Sequence, residues 1–456
     1  MESASAAKQA QSPGGLPFWK TRRRKTLATV PDLVQRMHDF MRVAFASLGS
    51  LGDLHPLLAV ARSAENHGHE IVVAASRGFR DYVTNLGLKF HPIRPDLAPA
   101  GDQLRRLNDP SKGPERLLRE EIFPAVHETC SDLVAACSGA DLLVVGELLY
   151  VAPLVAAKCG IPWVNAVLSP SSFLSALDPC VLAPLPAFHH LRHFGPLPHR
   201  LLLAFGDRLT SRWAEPLFSF RRELGLPVGP NPVFAGKHSP LRTLALFPKF
   251  FAALQSDWPP QVVQTGFPFF EQAPREDTRR TIRNFLDAGE PPVVFTLGSS
   301  VVRIADDFYH LAARAATMIG RRAILLAGKN PPPASLPETI LCLDYAPLES
   351  VFPHAAAVVH HGGIGSCAMA LRCGVPSLVI PFAYDQPDNA ERLRRLGVAL
   401  TMPQNAVSSE SLAGRLRRIL DGRRMREQSL RLATQITPED DMERTITALE
   451  AVAQTA

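Results

Sequence analysis

The stretch AAVVHHGGIGSCAMALRCG (356–374) ends an apolar run in His360 and His361, then places Gly362, Gly363 and Gly365 ahead of a helix-like segment that opens at Ser366. N–H groups freed at such a helix start, with glycines that let a ligand come close, can cradle an anion such as a diphosphate. His361 can add an imidazole donor to the same anion, whereas strand alternation turns His360 to the opposite side. By spacing alone the loop serves equally well as a plain turn between strand and helix. No third ligand lies at metal-site spacing, so no metal is expected.

Two more loops bear on that choice. In PFAYDQPDN (381–389), Asp385 and Gln386 follow another apolar run and together can accept and donate hydrogen bonds to sugar hydroxyls. In FTLGSS (295–300) a run ends in glycine and hydroxyls, Ser299 among them. Ligands of doubly wound sheets collect at the carboxyl ends of strands, so three such loops on one edge favour a nucleotide-sugar pocket over plain turns.

The first loop, SLGSLGDLHP (47–56), is different. Gly49 and Gly52 give G-x-x-G rather than the dinucleotide fingerprint, and no ribose-binding acid follows the second strand at Ser76–Arg77. Asp53 stands where a helix should begin and would repel a pyrophosphate there. A dehydrogenase is thereby disfavoured. Asp53 reads either as a helix-capping residue, worth about 1 kcal/mol, or as a base facing a cleft; spacing supports both.

These loops need strands and helices to carry them. From Arg42 the chain alternates short apolar strands with glycine-containing loops and amphipathic stretches: RVAFAS, HEIVVAAS, DLLVVG, PWVNAV and TLALF, then VVFTLGSS, AILLAG, ILCLDYAP, AAVVHH and PSLVIPF. Such βαβ alternation predicts parallel sheets covered by helices on both faces. The α/β chain divides into two Rossmann-like, doubly wound domains facing a cleft. Residues 41–270 form the first, 271–290 a charged, proline-containing connector, 291–435 the second and 436–456 a terminal helix. The proline-rich span 170–198 is expected to be an irregular insertion that shapes a pocket.

Residues 1–40 are expected to be a disordered basic extension outside the fold, with Lys20, Arg22, Arg23, Arg24 and Lys25 crowded together. That run accounts for part of the formal net charge of +6 and lacks the aromatic interleaving of a nucleic-acid surface, though weak attraction to anionic lipid is open to it. No apolar run reaches the ~18–20 residues of a membrane span, and no secretory leader is recognisable, so a cytoplasmic protein is expected. The seven cysteines include no C-x-x-C pair and read as free thiols.

The order FTLGSS … DYAPLESVFPHAAAVVHHGGIGSCAMALRCGVPSLVIPFAYDQPDNAERL resembles the donor-binding half of the family 1 glycosyltransferases. SLGSLGDLHPLLAVARSAENHGHEI and ALFPKFFAALQSDWPPQVVQTGFPFFE resemble the bacterial branch with rhamnolipid rhamnosyltransferases and sterol and antibiotic glycosyltransferases. The resemblance spans residues 41 to about 430. It implies the GT-B fold, an inverting reaction without metal or other cofactor, and a nucleoside-diphosphate sugar as co-substrate. It further implies diphosphate contacts from His361, Gly363, Gly365, Ser366 and Ser299, and sugar contacts from Asp385 and Gln386. Tyr345 would stack on the base and Ala346 offer it backbone hydrogen bonds. Asp53 would be the acceptor-activating base, with Gly52 and His55 beside it on the acceptor side.

Two positions depart from the family pattern. Met369 replaces the glutamate or glutamine that grips ribose hydroxyls, which a thioether cannot do, leaving a deoxyribose donor such as a dTDP-sugar open beside UDP. The acid that orients a histidine base would fall near Gly146, with Glu147 one residue off; an aspartate base needs no tautomer fixed. The expected reaction moves a hexose to a hydroxyl of a lipophilic or small-molecule acceptor, with apolar stretches such as 171–186 lining the acceptor site. The rival readings are a nucleotide-sugar epimerase of the same fold and a non-catalytic nucleotide-sugar-binding protein.

Overall fold

The computed structural model describes residues 40–455 apart from Ala98 and Ala334, so the basic run at 20–25 lies outside the described residues. The first sheet contains β1 (Arg42–Ser47), β2 (Glu70–Ala75), β3 (Lys89–Pro92), β4 (Leu142–Val145), β5 (Trp163–Val167), β6 (Thr243–Ala245) and β7 (Val262–Gln264). Its order is β3-β2-β1-β4-β5-β6-β7. The second contains β8 (Val293–Thr296), β9 (Ala323–Leu326), β10 (Ile340–Leu343), β11 (Ala357–His360), β12 (Ser377–Val379) and β13 (Ala399–Thr401), ordered β10-β9-β8-β11-β12-β13. Neighbours in both sheets run parallel.

Pleating sorts the side chains. Val43 and Phe45 enter the core on one face of the first sheet, Ala44 and Ala46 the other. In the second, Val293 and Phe295 face away from Val294. Both sheets reverse winding at their centres, between β1 and β4 and between β8 and β11, and the loops leaving those strands border the switch-point crevices. Strands β3, β7 and β13 have no counterpart among the predicted strands. All three are short edge strands, with too few residues for a pattern to show.

Four helices matter for the site: α1 (Leu51–Asn66) after β1, α2 (Ile364–Arg372) after β11, α3 (Gln386–Arg395) after β12, and the terminal α4 (Pro438–Thr455). The start of α1 packs toward the 298–301 turn and α2, bringing the two domains' loops together. Helix α4 crosses back to the first domain, where Ile446, Leu449 and Val452 join the core of Val43, Phe45 and Leu57. The expected connector contains its own helix, Glu276–Asp287, which buries Ile282.

Candidate active site

The HHGG loop is shaped around one imidazole. His361 is 6% exposed, and Gly298 and Gly363 flank its ring so closely that a Cβ on either would stand 2.4 Å from a ring atom. Burial lowers its pKa to about 4, so the ring is neutral at pH 7. Its Nδ1 is buried and has no hydrogen-bond partner, an orphan that an anion would satisfy. Helix α2 has no side-chain cap at Gly363, and its first N–H engaged in the helix belongs to Cys367. The N–H groups of Ile364, Gly365 and Ser366 are left for a ligand. A Cβ on Gly365 would meet nothing within 4 Å, open space in front of the helix terminus. Ser366 is buried in the same turn, and Ser299 is exposed in the Gly298–Val301 turn opposite. His360 is fully buried, its Nδ1 accepts from the Gly362 N–H at 3.1 Å, and its role is to brace the loop.

Asp385 and Gln386 open α3. The Gln386 Oε1 accepts from the N–H groups of Phe382 (2.8 Å) and Ala383 (3.1 Å), so this side chain has only its NH₂ to offer a ligand. The expected acid-amide pair is therefore an acceptor at Asp385 and a donor at Gln386. Asn389 Nδ2 donates to Asp385 Oδ2 at 2.7 Å. Between the loop and the first domain, Tyr384 adopts a left-handed φ of 56° and its hydroxyl donates to the Leu107 carbonyl.

Asp53 is both cap and cleft residue. It occupies the third position of α1 in a capping box with Ser50, whose N–H (2.7 Å) and Oγ (3.0 Å) both donate to its Oδ2. Gly49, at φ 121°, has no Cβ because one would stand 2.4 Å from that oxygen. Gly52 contributes its N–H, which donates to Ser50 Oγ at 3.1 Å. Burial raises the Asp53 pKa to about 6 against the Ser50 hydrogen bonds, and the nearby Glu147 carboxylate adds to the rise. Burial likewise raises Asp385 to about 7, with Glu147 and Asp53 adding to it. Three carboxyl groups from the ends of β1, β4 and β12 thus share one interdomain space.

The surface expected to meet the nucleoside is largely apolar. Tyr345 is 57% exposed with its hydroxyl donating to Gln272 Oε1 at 3.3 Å, and among the described residues neither backbone group of Ala346 has an internal partner. Met369 is buried in the same apolar cluster as Ala346, Val351 and Phe352. His55 does not join Asp53. Two residues on along α1, it turns away, stacks near Tyr82 and Phe270, and hydrogen-bonds the Tyr82 hydroxyl at 2.8 Å. Burial lowers its pKa to about 4.

Over 436 residues the chain is 31% identical to the O-mycaminosyltylonolide 6-deoxyallosyltransferase of Streptomyces fradiae, covering 91% of this chain and 98% of that protein. The chain belongs to the family 1 glycosyltransferases. Residues 320–451 of the glycosyltransferase match the family described as erythromycin biosynthesis protein CIII-like, C-terminal domain. Its fold is GT-B: the kitacinnamycin glycotransferase superposes with a TM-score of 0.68 at 19% identity, covering 91% of this chain and 99% of that one. The glycosyltransferase VinC, solved in complex with dTDP, superposes at 0.62 and 22% identity, covering 91% and 100%.

Within the glycosyltransferase, the structure gathers Asp53, Ser299, His361, Gly363, Gly365, Ser366, Asp385 and Gln386 around the facing carboxyl ends of the two sheets. His55 lies apart from Asp53, beside Tyr82 and Phe270, and the stretch 171–186 begins next to the carboxyl cluster, where the Ser172 hydroxyl donates to Glu147. That stretch is pinned to the second domain: Asp178 pairs with Arg392 at 2.7 Å, and the Val181 N–H donates to Asp388 at 3.0 Å. Glu147 and Asn389 are the residues missed. A carboxylate just beyond β4, one place from the expected orienting acid, was the available signal for Glu147; the only local signal for Asn389 was an amide four residues past Asp385. A cavity of about 620 Å³ lined by Arg283, Pro292, His354 and Arg426 lies at the opposite, amino ends of β8 and β11.

Proposed function

We propose that this glycosyltransferase moves a hexose from a dTDP-linked donor to a hydroxyl of a lipophilic small molecule, inverting the anomeric carbon. The observation that carries the reading is the Asp53 carboxyl group, held by Ser50 opposite the uncapped start of α2 and in electrostatic reach of Asp385. Asp53 takes the acceptor's proton as the oxygen attacks. The bond from the anomeric carbon to the phosphate oxygen breaks, and its electron pair leaves with the diphosphate. The α2 N–H groups and His361 receive that charge in a site already organised for it.

Apolar Met369 beneath Ala346 supports a deoxyribose donor, and the dTDP complex of VinC agrees with it. The O-mycaminosyltylonolide transferase, by its name, acts on a glycosylated natural product, which supports a small-molecule acceptor. The first domain also carries apolar surface, with Leu197, Leu201 and Phe205 each more than 60% exposed along one stripe of a helix.

A thermal-shift panel of dTDP, UDP and GDP with their glucose conjugates tests the donor. A ligand at 100 times its dissociation constant stabilises by about 2.7 kcal/mol. We expect the dTDP compounds to shift the melting most, and a clear preference for UDP would refute the deoxyribose reading. Sugar isomerisation without any acceptor would instead identify an epimerase.

A further inference from the structure

The buried amide of Asn389 sits where the two domains meet. Its Nδ2 donates to Asp385 Oδ2 at 2.7 Å and to the Gly362 carbonyl, in the HHGG loop, at 2.9 Å. Its Oδ1 accepts from Ser169 Oγ of the first domain at 3.0 Å. Reversing the amide would set its oxygen against a carboxylate and a carbonyl, so the three partners allow one orientation. Ser169 in turn lies in a loop after β5 that Glu147 anchors: Oε1 accepts from the Leu168 N–H at 3.0 Å and Oε2 from the Ser172 hydroxyl. One turn further along α3, Arg392 bridges Asp388 and Asp178, each at 2.7 Å, and fixes the helix against the same insertion. Asn389 and Asp388 are fully buried and Arg392 nearly so.

We propose that Asn389 is a positioning residue through which the first domain's 168–172 loop, by way of Ser169, sets the Asp385 carboxylate for the donor sugar. This rests on the reading of Asp385 as a donor-sugar residue. The bond to the Gly362 carbonyl holds the plane of the amide, so the support that Ser169 completes acts on the Asp385 carboxylate. The far end of that support is Glu147, beside Asp53. Seating of the 168–172 loop beside Asp53, the proposed acceptor base, is thereby transmitted to the donor sugar, so that the two substrates are recognised together. An ordinary interface hydrogen bond would need neither the carboxylate nor the loop carbonyl as partners.

The test compares dTDP with dTDP-glucose on the full chain by calorimetry, in the native protein and in the Ser169→Ala, Ser169→Thr and Asn389→Ala variants. Ser169→Ala should weaken dTDP-glucose about tenfold and leave dTDP within twofold, with Ser169→Thr restoring the native value. Asn389→Ala should weaken the sugar nucleotide further. In native protein, dTDP-glucose but not dTDP should slow amide hydrogen exchange at 168–172, and Ser169→Ala should abolish that protection. Equal weakening of both ligands would reduce the bridge to a structural contact and overturn the proposal, as would unchanged affinities. Failure of the native chain to bind any nucleoside diphosphate would instead overturn the donor assignment itself.

Discussion

The Asp53 carboxylate of the first domain helps keep a proton on Asp385 of the second. Burial is the larger cause of the raised Asp385 pKa, and the charges of Glu147 and Asp53 add to it. The three carboxyl groups have a buried cation in electrostatic reach, Lys237 beside Glu147, and Asp53 and Asp385 are still held against an electrostatic cost that substrate hydroxyls and an acceptor proton can relieve.

Transfer should therefore depend on pH in a stated direction. With Asp53 at about 6 in the free chain, the base is ionised above that pH and protonated below it, so kcat/KM falls about tenfold per pH unit on the acid side. Asp53→Asn should lower kcat by about 10²–10⁴-fold and leave dTDP affinity unchanged. Steady-state rates between pH 4.5 and 8.5 beside a dTDP titration measure both, and near-native transfer by the variant would remove Asp53 as the base.

Asp385→Asn should trade function for stability. Its pKa is raised from 3.8 to about 7, so across that window the folded chain keeps a proton that the unfolded chain has released, and stability declines as pH rises through it. The neutral variant escapes this loss. Its Tm should exceed the native value by about 1–3 °C at pH 8, with the gain gone near pH 4, while dTDP-glucose no longer binds better than dTDP. A lower Tm at pH 8 would contradict the account.

Two glycines separate steric support from ligand space. Gly298→Ala drives a methyl into the His361 ring at a residue with φ 63°, and should cost both stability and at least tenfold in dTDP affinity. Gly365→Ala meets no protein atom, sits in the first turn of α2 and should preserve or slightly raise Tm. Its methyl would occupy the diphosphate approach, so dTDP affinity should drop without a stability loss. Melting curves with and without dTDP distinguish the two cases.

Sequence reading reached what is local. The β1 and β11 loops announce themselves because glycine, acid and imidazole follow directly on apolar strands, and α2 starts one residue after Gly363, close to the Ser366 expected from pattern alone. What escaped it is set by contacts between distant residues. Nothing near Ser169 points to Asn389, 220 positions away. Nor does the PFAYDQPDN stretch show that Gln386 spends its carbonyl on Phe382 and Ala383, since that depends on how the turn closes. The first loop likewise does not show that His55 packs on Tyr82 and Phe270, since helical geometry sends residues two apart to different faces and these neighbours come from distant segments.

The return of α4 to the first domain means that the chain passes between domains twice, once before β8 and once after the second domain's last helix. Two tethers define a line, and relative movement of the halves reduces to swinging about that line, like a door on two hinges. Chimeras assembled from the halves of two such enzymes must accordingly inherit Pro438–Thr455 from the parent that supplies the amino-terminal half.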